Sequence, residues 1–217
     1  MRIGIQFFGR KENYKSNGQT IRINYTEYDS YSSARSAMGS GNGGEADRWG
    51  DSLTNNESIA VYQYTQAGKT YRILNEELRK NGETTSFKSL DKNLEKALDK
   101  YTLEKPTVFE RGSSADLLGG ATTADEINAM VGSVVVDRAY TSSASHTGGG
   151  FGGEVCYHIS TPSGKGIGAY VDGVSALKGE DEFLFNKGGM YKITGAYSNP
   201  NDSYNVHVNM EWIGREK

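Results

Sequence analysis

The 217-residue sequence predicts an α+β domain with helices in its N-terminal part and a mainly antiparallel sheet after them. Three observations predict it. Segments with helical periodicity all fall between residues 57 and 130. From residue 134 onward, short apolar segments alternate with glycine-containing turns. Glycine is abundant, at 28 residues or roughly twice the usual share of about 7%, while there are only 3 Pro and 14 Tyr. That composition suits a loop-rich, β-heavy chain.

Residues 1–55 stand apart. Leu, Ile, Val and Phe supply 7 of those 55 positions but 33 of the remaining 162, so burial of these residues alone supports a core only from residue 56 onward. The stretch 1–55 is therefore expected to be a flexible tail and 56–217 the folded domain. Residues 32–44 read SSARSAMGSGNGG, the composition of a Gly/Ser linker. Ile3 and Ile5 alternate as in a short strand that could pair with a sheet edge, or belong to a frayed terminus. Residues 1–10 lack the continuous apolar stretch and small-residue cleavage site of a secretory signal.

The domain's elements follow in order. Residues 57–65 and 70–80 fit two helices, the second with Tyr71, Leu74 and Leu78 at helical spacing. Leu90, Leu94, Leu98 and Tyr101 form the strongest apolar stripe, opposed by Lys, Asp and Glu. Pro106 stops that helix, and 107–109 reads as a strand. Thr123 followed by Glu126 is a capping box ahead of a helix over 124–130. Strands then follow at 134–136, around Val155, Tyr157 and Ile159, and at 167–171, 182–185, 190–194 and 204–212.

Charge and composition exclude several functions. Lys and Arg number 24 against 27 Asp and Glu, so neither a generally basic nucleic-acid coat nor a polybasic membrane binder is expected. No apolar run approaches the roughly 18–20 residues of a membrane helix. His146, His158 and His207 have no metal-ligand spacing with one another or with Cys156, which reads as a small hydrophobe in a strand; no metal site is expected. The glycine-rich stretches 148–153 and 163–168 carry neither a phosphate-loop nor a dinucleotide fingerprint and read as turns or loops. No GxSxG elbow supports a Ser-His-Asp triad.

Three segments carry chemistry. TVFERG at 107–112 ends a strand in Arg111 and Gly112, which suits close approach to an anion such as a pyrophosphate. YTSSAS at 140–145 is a strand running into small hydroxyls. GEDEFLF at 179–185 sets Glu180 and Glu182 two apart, so that on an extended chain both carboxylates share one side about 6–7 Å apart. Paired carboxylates at that range suit glycosidic-bond chemistry. The structural alternatives are a charged strand entrance for the glutamates, an Arg111–Glu110 surface ion pair, and an exposed strand position for Ser142.

In this order and at this spacing, the arginine, the small hydroxyls and Glu-x-Glu resemble the bacterial exotoxin-like mono-ADP-ribosyltransferases of the arginine-specific type. GIGAY at 166–170, Ser175, and FLFNKGGMYKITG at 183–195 add to the resemblance, as do Tyr64-Thr65, Tyr71, Asn75 and Leu78-Arg79 upstream. It covers about residues 57 to 213 and implies that family's fold, N-terminal helices packed on a mainly antiparallel β-sandwich core. It implies NAD as substrate, with no metal, and a protein partner carrying the arginine acceptor. It makes Glu182 and Glu180 the catalytic pair: Glu182 would stabilise the oxocarbenium ion left by nicotinamide, and Glu180 would orient and deprotonate the acceptor. Arg111, Gly112, Ser142, Phe151, Tyr71 and Asn75 would bind NAD, with core packing the competing reading for Phe151 and Tyr71. One position departs from the family: the third residue of its Ser-Thr-Ser motif is Ala144 here. The same residues would serve an NAD glycohydrolase. A further reading is a catalytically degenerate structural or binding protein of a virion, since the IQFFG opening resembles structural proteins of bacteriophages of Gram-positive bacteria. That opening implies phage particle proteins as partners of the tail, and a place in the host cytoplasm or on the virion.

Overall fold

The computed structural model describes residues 10–16 and 19–216, so the expected strand at Ile3 and Ile5 lies outside the described residues. The described residues open with two antiparallel paired strands, the hairpin strands β1 (Arg10–Ser16) and β2 (Gln19–Tyr25). Two helices follow, α1 (Tyr31–Ala37) and α2 (Glu45–Ser52). The expectation of a flexible tail over 1–55 is thus corrected from the hairpin onward. Tyr25, Tyr28, Ala34, Met38, Ala46 and Trp49 are all buried. The Trp49 ring meets Tyr101 edge-on at 5.8 Å, and its Nε1 donates to the Ala97 carbonyl at 2.7 Å.

Two physical reasons account for the correction. The segment buries Tyr, Trp, Met and Ala, which a count of Leu, Ile, Val and Phe does not see. Its glycines are structural as well: Gly39 has φ +72° and its missing Cβ would lie 2.3 Å from the Gly44 Cα. The Asp47 carboxylate then accepts the backbone N–H groups of Gly41, Asn42 and Gly43, closing a tight turn. Glycine here permits positive φ and backbone contact rather than flexibility.

The helical layer continues with α3 (Asn55–Tyr64), α4 (Thr70–Asn81) and α5 (Lys88–Lys100). Thr54 and Glu57 form a capping box at the start of α3, and Gly82 at φ +76° ends α4. The expected stripe of α5 is buried through Leu90, Leu94 and Leu98, joined by Ala97, and faces α3. Next come β3 (Thr102–Leu103), β4 (Thr107–Ser113), a short 3₁₀ turn at Asp116–Leu118 and α6 (Ala124–Asn128), which carries the expected Thr123/Glu126 capping box. The strands β5 (Val134–Asp137), β6 (Thr141–Ala144), β7 (Val155–Thr161), β8 (Gly164–Lys165), β9 (Gly168–Tyr170), β10 (Glu182–Phe185), β11 (Gly189–Tyr197) and β12 (Val206–Arg215) complete the chain.

Eight strands form one sheet in the order β5-β11-β12-β7-β4-β6-β10-β9. Every pairing in it is antiparallel except β12 with β7. Only one residue pair, Glu110 with Ala144, joins β4 to β6. Phe109 of β4 stacks on Phe183 of β10 with centroids 4.0 Å apart, although β6 lies between their strands. Strands two places apart in a flat sheet are separated by about 9–10 Å. The sheet therefore bends sharply at the β4–β6 join, and its two halves face each other in the sandwich arrangement expected from the sequence. Thr26 extends this frame by pairing with Thr107 at the start of β4.

Candidate active site

Three neighbouring strands present the motif residues: Arg111 and Gly112 from β4, Ser142 from β6 and Glu182 from β10. Far apart in sequence, they converge because β4, β6 and β10 are consecutive in the sheet. With Glu180, Phe151 and, from α4, Tyr71 and Asn75, they line one cavity of about 910 Å³. All eight residues expected to act on or bind substrate thus share a single site. Its volume falls in the upper part of the ~300–1,000 Å³ range of small-molecule pockets. Arg72, Arg79, Lys80 and Arg111 bring positive charge to its wall, against Glu76, Glu180 and Glu182.

Glu182 is 7% exposed. Burial is the main cause of its raised pKa, about 7; the Glu180 charge raises it further, while the polar Ser142 side chain and the charge of Arg111 pull it down. Glu180 is half-buried and its pKa is also raised, by burial and then by Asp172. The Arg111 guanidinium donates to the Ser142 carbonyl and, at 3.4 Å, to the Ser113 hydroxyl. Its expected alternative, an ion pair with Glu110, does not form. Glu110 instead accepts the backbone N–H groups of Gly148 and Gly150 at 3.0 and 3.2 Å, clamping the glycine-rich loop.

That loop explains Gly112. A Cβ there would lie 1.5 Å from the Phe151 carbonyl oxygen, so only glycine admits the loop against β4. Phe151 is 63% exposed, which excludes the core-packing alternative and leaves its ring at the cavity. Tyr71 meets Tyr64 edge-on at 6.2 Å and combines packing with cavity lining. Asn75 also holds the fold together. Its amide donates to the Tyr64 hydroxyl and the Tyr140 carbonyl and accepts the Tyr140 N–H, fixing α4 to the start of β6. Ala144, the departure from the family motif, sits opposite Glu182 on the paired strand and beneath Gly149.

The geometry corrects one expectation. Glu180 and Glu182 do not lie on an extended chain, because the intervening Asp181 has φ +56°, in the left-handed region. Glu182 begins β10 while Glu180 sits on the preceding turn. Asp181 is fully buried; its carboxylate binds the His146 imidazole and accepts the Tyr170 hydroxyl at 2.7 Å. Burial raises its pKa, and both partners oppose that shift. The turn is also tied from its far side. The Asp172 carboxylate accepts the Gly179 N–H at 2.6 Å and pairs with Arg35 of α1. Sequence reading missed His146, Asp181, Asp172 and Arg35, whose separations have no characteristic spacing.

Residues 42–211 match the family model described as ADP-ribosyltransferase exoenzyme. The chain belongs to that family. No curated protein sequence is significantly similar to it. Solved structures share its fold. Plx2a, an ADP-ribosyltransferase toxin from Paenibacillus larvae, superposes with a TM-score of 0.74 at 20% identity, covering 86% of this chain and 98% of that one. C3stau2 from S. aureus, solved with NAD, gives 0.72 at 16% identity, covering 88% and 99%. BECa, an ADP-ribosylating toxin of a binary enterotoxin of C. perfringens, solved with NADH, gives 0.70 at 16% identity, covering 94% of this chain but 55% of that one. The matched residues begin within the segment 1–55, in agreement with the packing of α2 as part of this exoenzyme-family domain.

Proposed function

We propose that this ADP-ribosyltransferase transfers ADP-ribose from NAD to an arginine of a target protein and releases nicotinamide. One observation carries the reading. A buried carboxylate, Glu182, with a pKa near 7, shares a cavity with Arg111, Ser142 and a second carboxylate two residues away. Nicotinamide leaves NAD as a neutral molecule and takes the bonding electron pair, so the barrier lies in the cationic ribose carbon left behind. Ionised Glu182, in the same cavity as Ser142, offers negative charge where that cation develops, an interaction stronger in the transition state than in the ground state. Arg111 and the neighbouring cations suit the pyrophosphate. The exposed ring of Phe151 suits stacking at the nicotinamide end.

The acceptor assignment rests on Glu180. A guanidinium is protonated at neutral pH and must lose a proton as its nitrogen bonds to the ribose carbon. Glu180, whose pKa is raised, is a fitting recipient for that proton. The division of labour is tested by two variants. Glu182→Gln should abolish both transfer and NAD hydrolysis, whereas Glu180→Gln should lose transfer and keep hydrolysis. Equal loss of both activities in Glu180→Gln would contradict the role given to that residue.

A further inference from the structure

The reaction above makes no use of a cluster next to the site. Cys156 and His158 lie two residues apart on β7 and so share one face. The parallel pairing of β7 with β12 sets His207 directly beside Cys156. The antiparallel pairing of β7 with β4 sets Gly112 beside Cys156 and Glu110 beside His158. The sulfur and one nitrogen of each imidazole lie within 4.8 Å of one another. His158 Nε2 is 2.9 Å from His207 Nδ1 and 3.7 Å from the Cys156 sulfur.

These distances have a chemical meaning. In a tetrahedral site with Zn–S of about 2.3 Å and Zn–N of about 2.0–2.1 Å, two nitrogens stand roughly 3.3 Å apart and a sulfur and a nitrogen roughly 3.6 Å apart. The two separations made by His158 Nε2 differ from these by a few tenths of an ångström, and the sulfur and the His207 nitrogen, within 4.8 Å, must draw together by side-chain rotation as the ion enters. The outward nitrogens are also provided for. His207 Nε2 is 2.7 Å from the Asp202 carboxylate, and His158 Nδ1 is 3.9 Å from that of Glu110. The Asp202 carboxylate holds a proton on the outer nitrogen of His207 and turns its Nδ1 lone pair inward, as in metal-bound histidines, while Glu110 faces the outer nitrogen of His158 without a hydrogen bond. The Tyr197 ring lies parallel to His207 at 4.8 Å and shields the cluster on one side.

We propose that Cys156, His158 and His207 bind one zinc-class divalent cation through the thiolate and one nitrogen of each imidazole. One soft sulfur and two imidazoles select zinc over magnesium or calcium. On binding, the thiol proton leaves to solvent. With His207 Nδ1 accepting, the proton between the imidazoles sits on His158 Nε2; as the ion takes its place, that proton is lost to solvent and one is taken up at Nδ1, towards Glu110, so that His158 stays neutral. The site braces the glycine-rich loop from below. Glu110 clamps Gly148 and Gly150, and Tyr204, edge-on to His207, donates its hydroxyl to the Gly150 and Phe151 carbonyls. The site does not depend on the assigned reaction, so its test and that of the transferase stand or fall separately.

The experiment uses full-length, tag-free protein stripped of metal. It is titrated with Zn²⁺ against a chromophoric chelator and, separately, with Co²⁺, whose thiolate charge-transfer absorption reports sulfur ligation. One equivalent should bind, with that absorption present. Cys156→Ser should remove the absorption and weaken Zn²⁺ binding. Asp202→Asn should keep the absorption and weaken binding by about 10–100-fold. Circular dichroism checks that each variant is folded. Less than one equivalent bound, or Zn²⁺ binding left unchanged by both Cys156→Ser and His207→Ala, overturns the assignment. Should the variants fail to fold, thermal melting of the wild-type protein decides. A cation bound only by the folded chain raises the melting temperature, and an unchanged temperature refutes the site.

Discussion

Replacing Glu182 by Gln should abolish activity and, at alkaline pH, stabilise the fold. Its pKa rises from 4.5 to about 7 on folding, because ionisation in the buried site is disfavoured. Below pH 4.5 the carboxyl is protonated in both the folded and the unfolded chain, and its titration costs nothing. As pH rises towards 7 the unfolded chain releases this proton more readily, so stability falls, and above about pH 8 the loss is complete. At about 1.4 kcal/mol per pH unit, the shift amounts to roughly 3 kcal/mol. Gln cannot ionise and escapes this loss. Urea denaturation of wild type and Glu182→Gln from pH 4 to 8.5 reads the difference directly. The gap between the two should widen with pH in favour of the variant by roughly 3 kcal/mol. A constant offset from changed polar contacts of the side chain does not affect that slope. Parallel stability curves would refute the claim that Glu182 is held in a site hostile to its charge. The wild-type rate of nicotinamide release should rise with pH through about 7, as the carboxylate forms.

Other perturbations test the remaining structure. Trp49→Ala should cost about 3–5 kcal/mol of stability by chemical denaturation, and deletion of residues 1–55 should prevent folding; a stable truncated domain would restore the tail reading. Gly112→Ala should weaken NAD binding measured by calorimetry, because its Cβ would strike the Phe151 carbonyl, with overpacking of about 1–3 kcal/mol; unchanged affinity would free the loop of that role. Asn75→Ala should lower stability by about 1–3 kcal/mol through unpaired groups at Tyr140, and a neutral melting curve would contradict the clamp. Asp181→Asn should be milder than Asp181→Ala in both melting temperature and NAD hydrolysis, since Asn tolerates the left-handed conformation; equal effects would separate the turn from catalysis.

Local signals in the sequence located the helices and most strands of the domain. The stripe of Leu90, Leu94 and Leu98 and the Thr123/Glu126 box both report interactions between residues three or four apart, and both recur in the structure. The order of motifs around Arg111, Ser142, Glu180 and Glu182 located the cavity, because strand neighbourhood turns that order into convergence. What escaped reading depends on contacts without local periodicity. Gly39 and Gly44 touch through their backbones, Arg35 reaches Asp172, and His146 meets Asp181. The Cys156–His158–His207 cluster exists only because β12 runs parallel to β7 in one particular register.

The most direct test of the transferase assignment follows label from NAD carried on the adenylate moiety. Purified protein and its Glu182→Ala variant are each incubated with this NAD and a bacterial lysate, and label on protein and free nicotinamide are followed together. The account predicts protein-bound label that requires Glu182, with nicotinamide released in parallel. Nicotinamide release without protein label would replace the transferase by a glycohydrolase. Absence of both signals, together with no binding of NAD, would contradict the catalytic assignment.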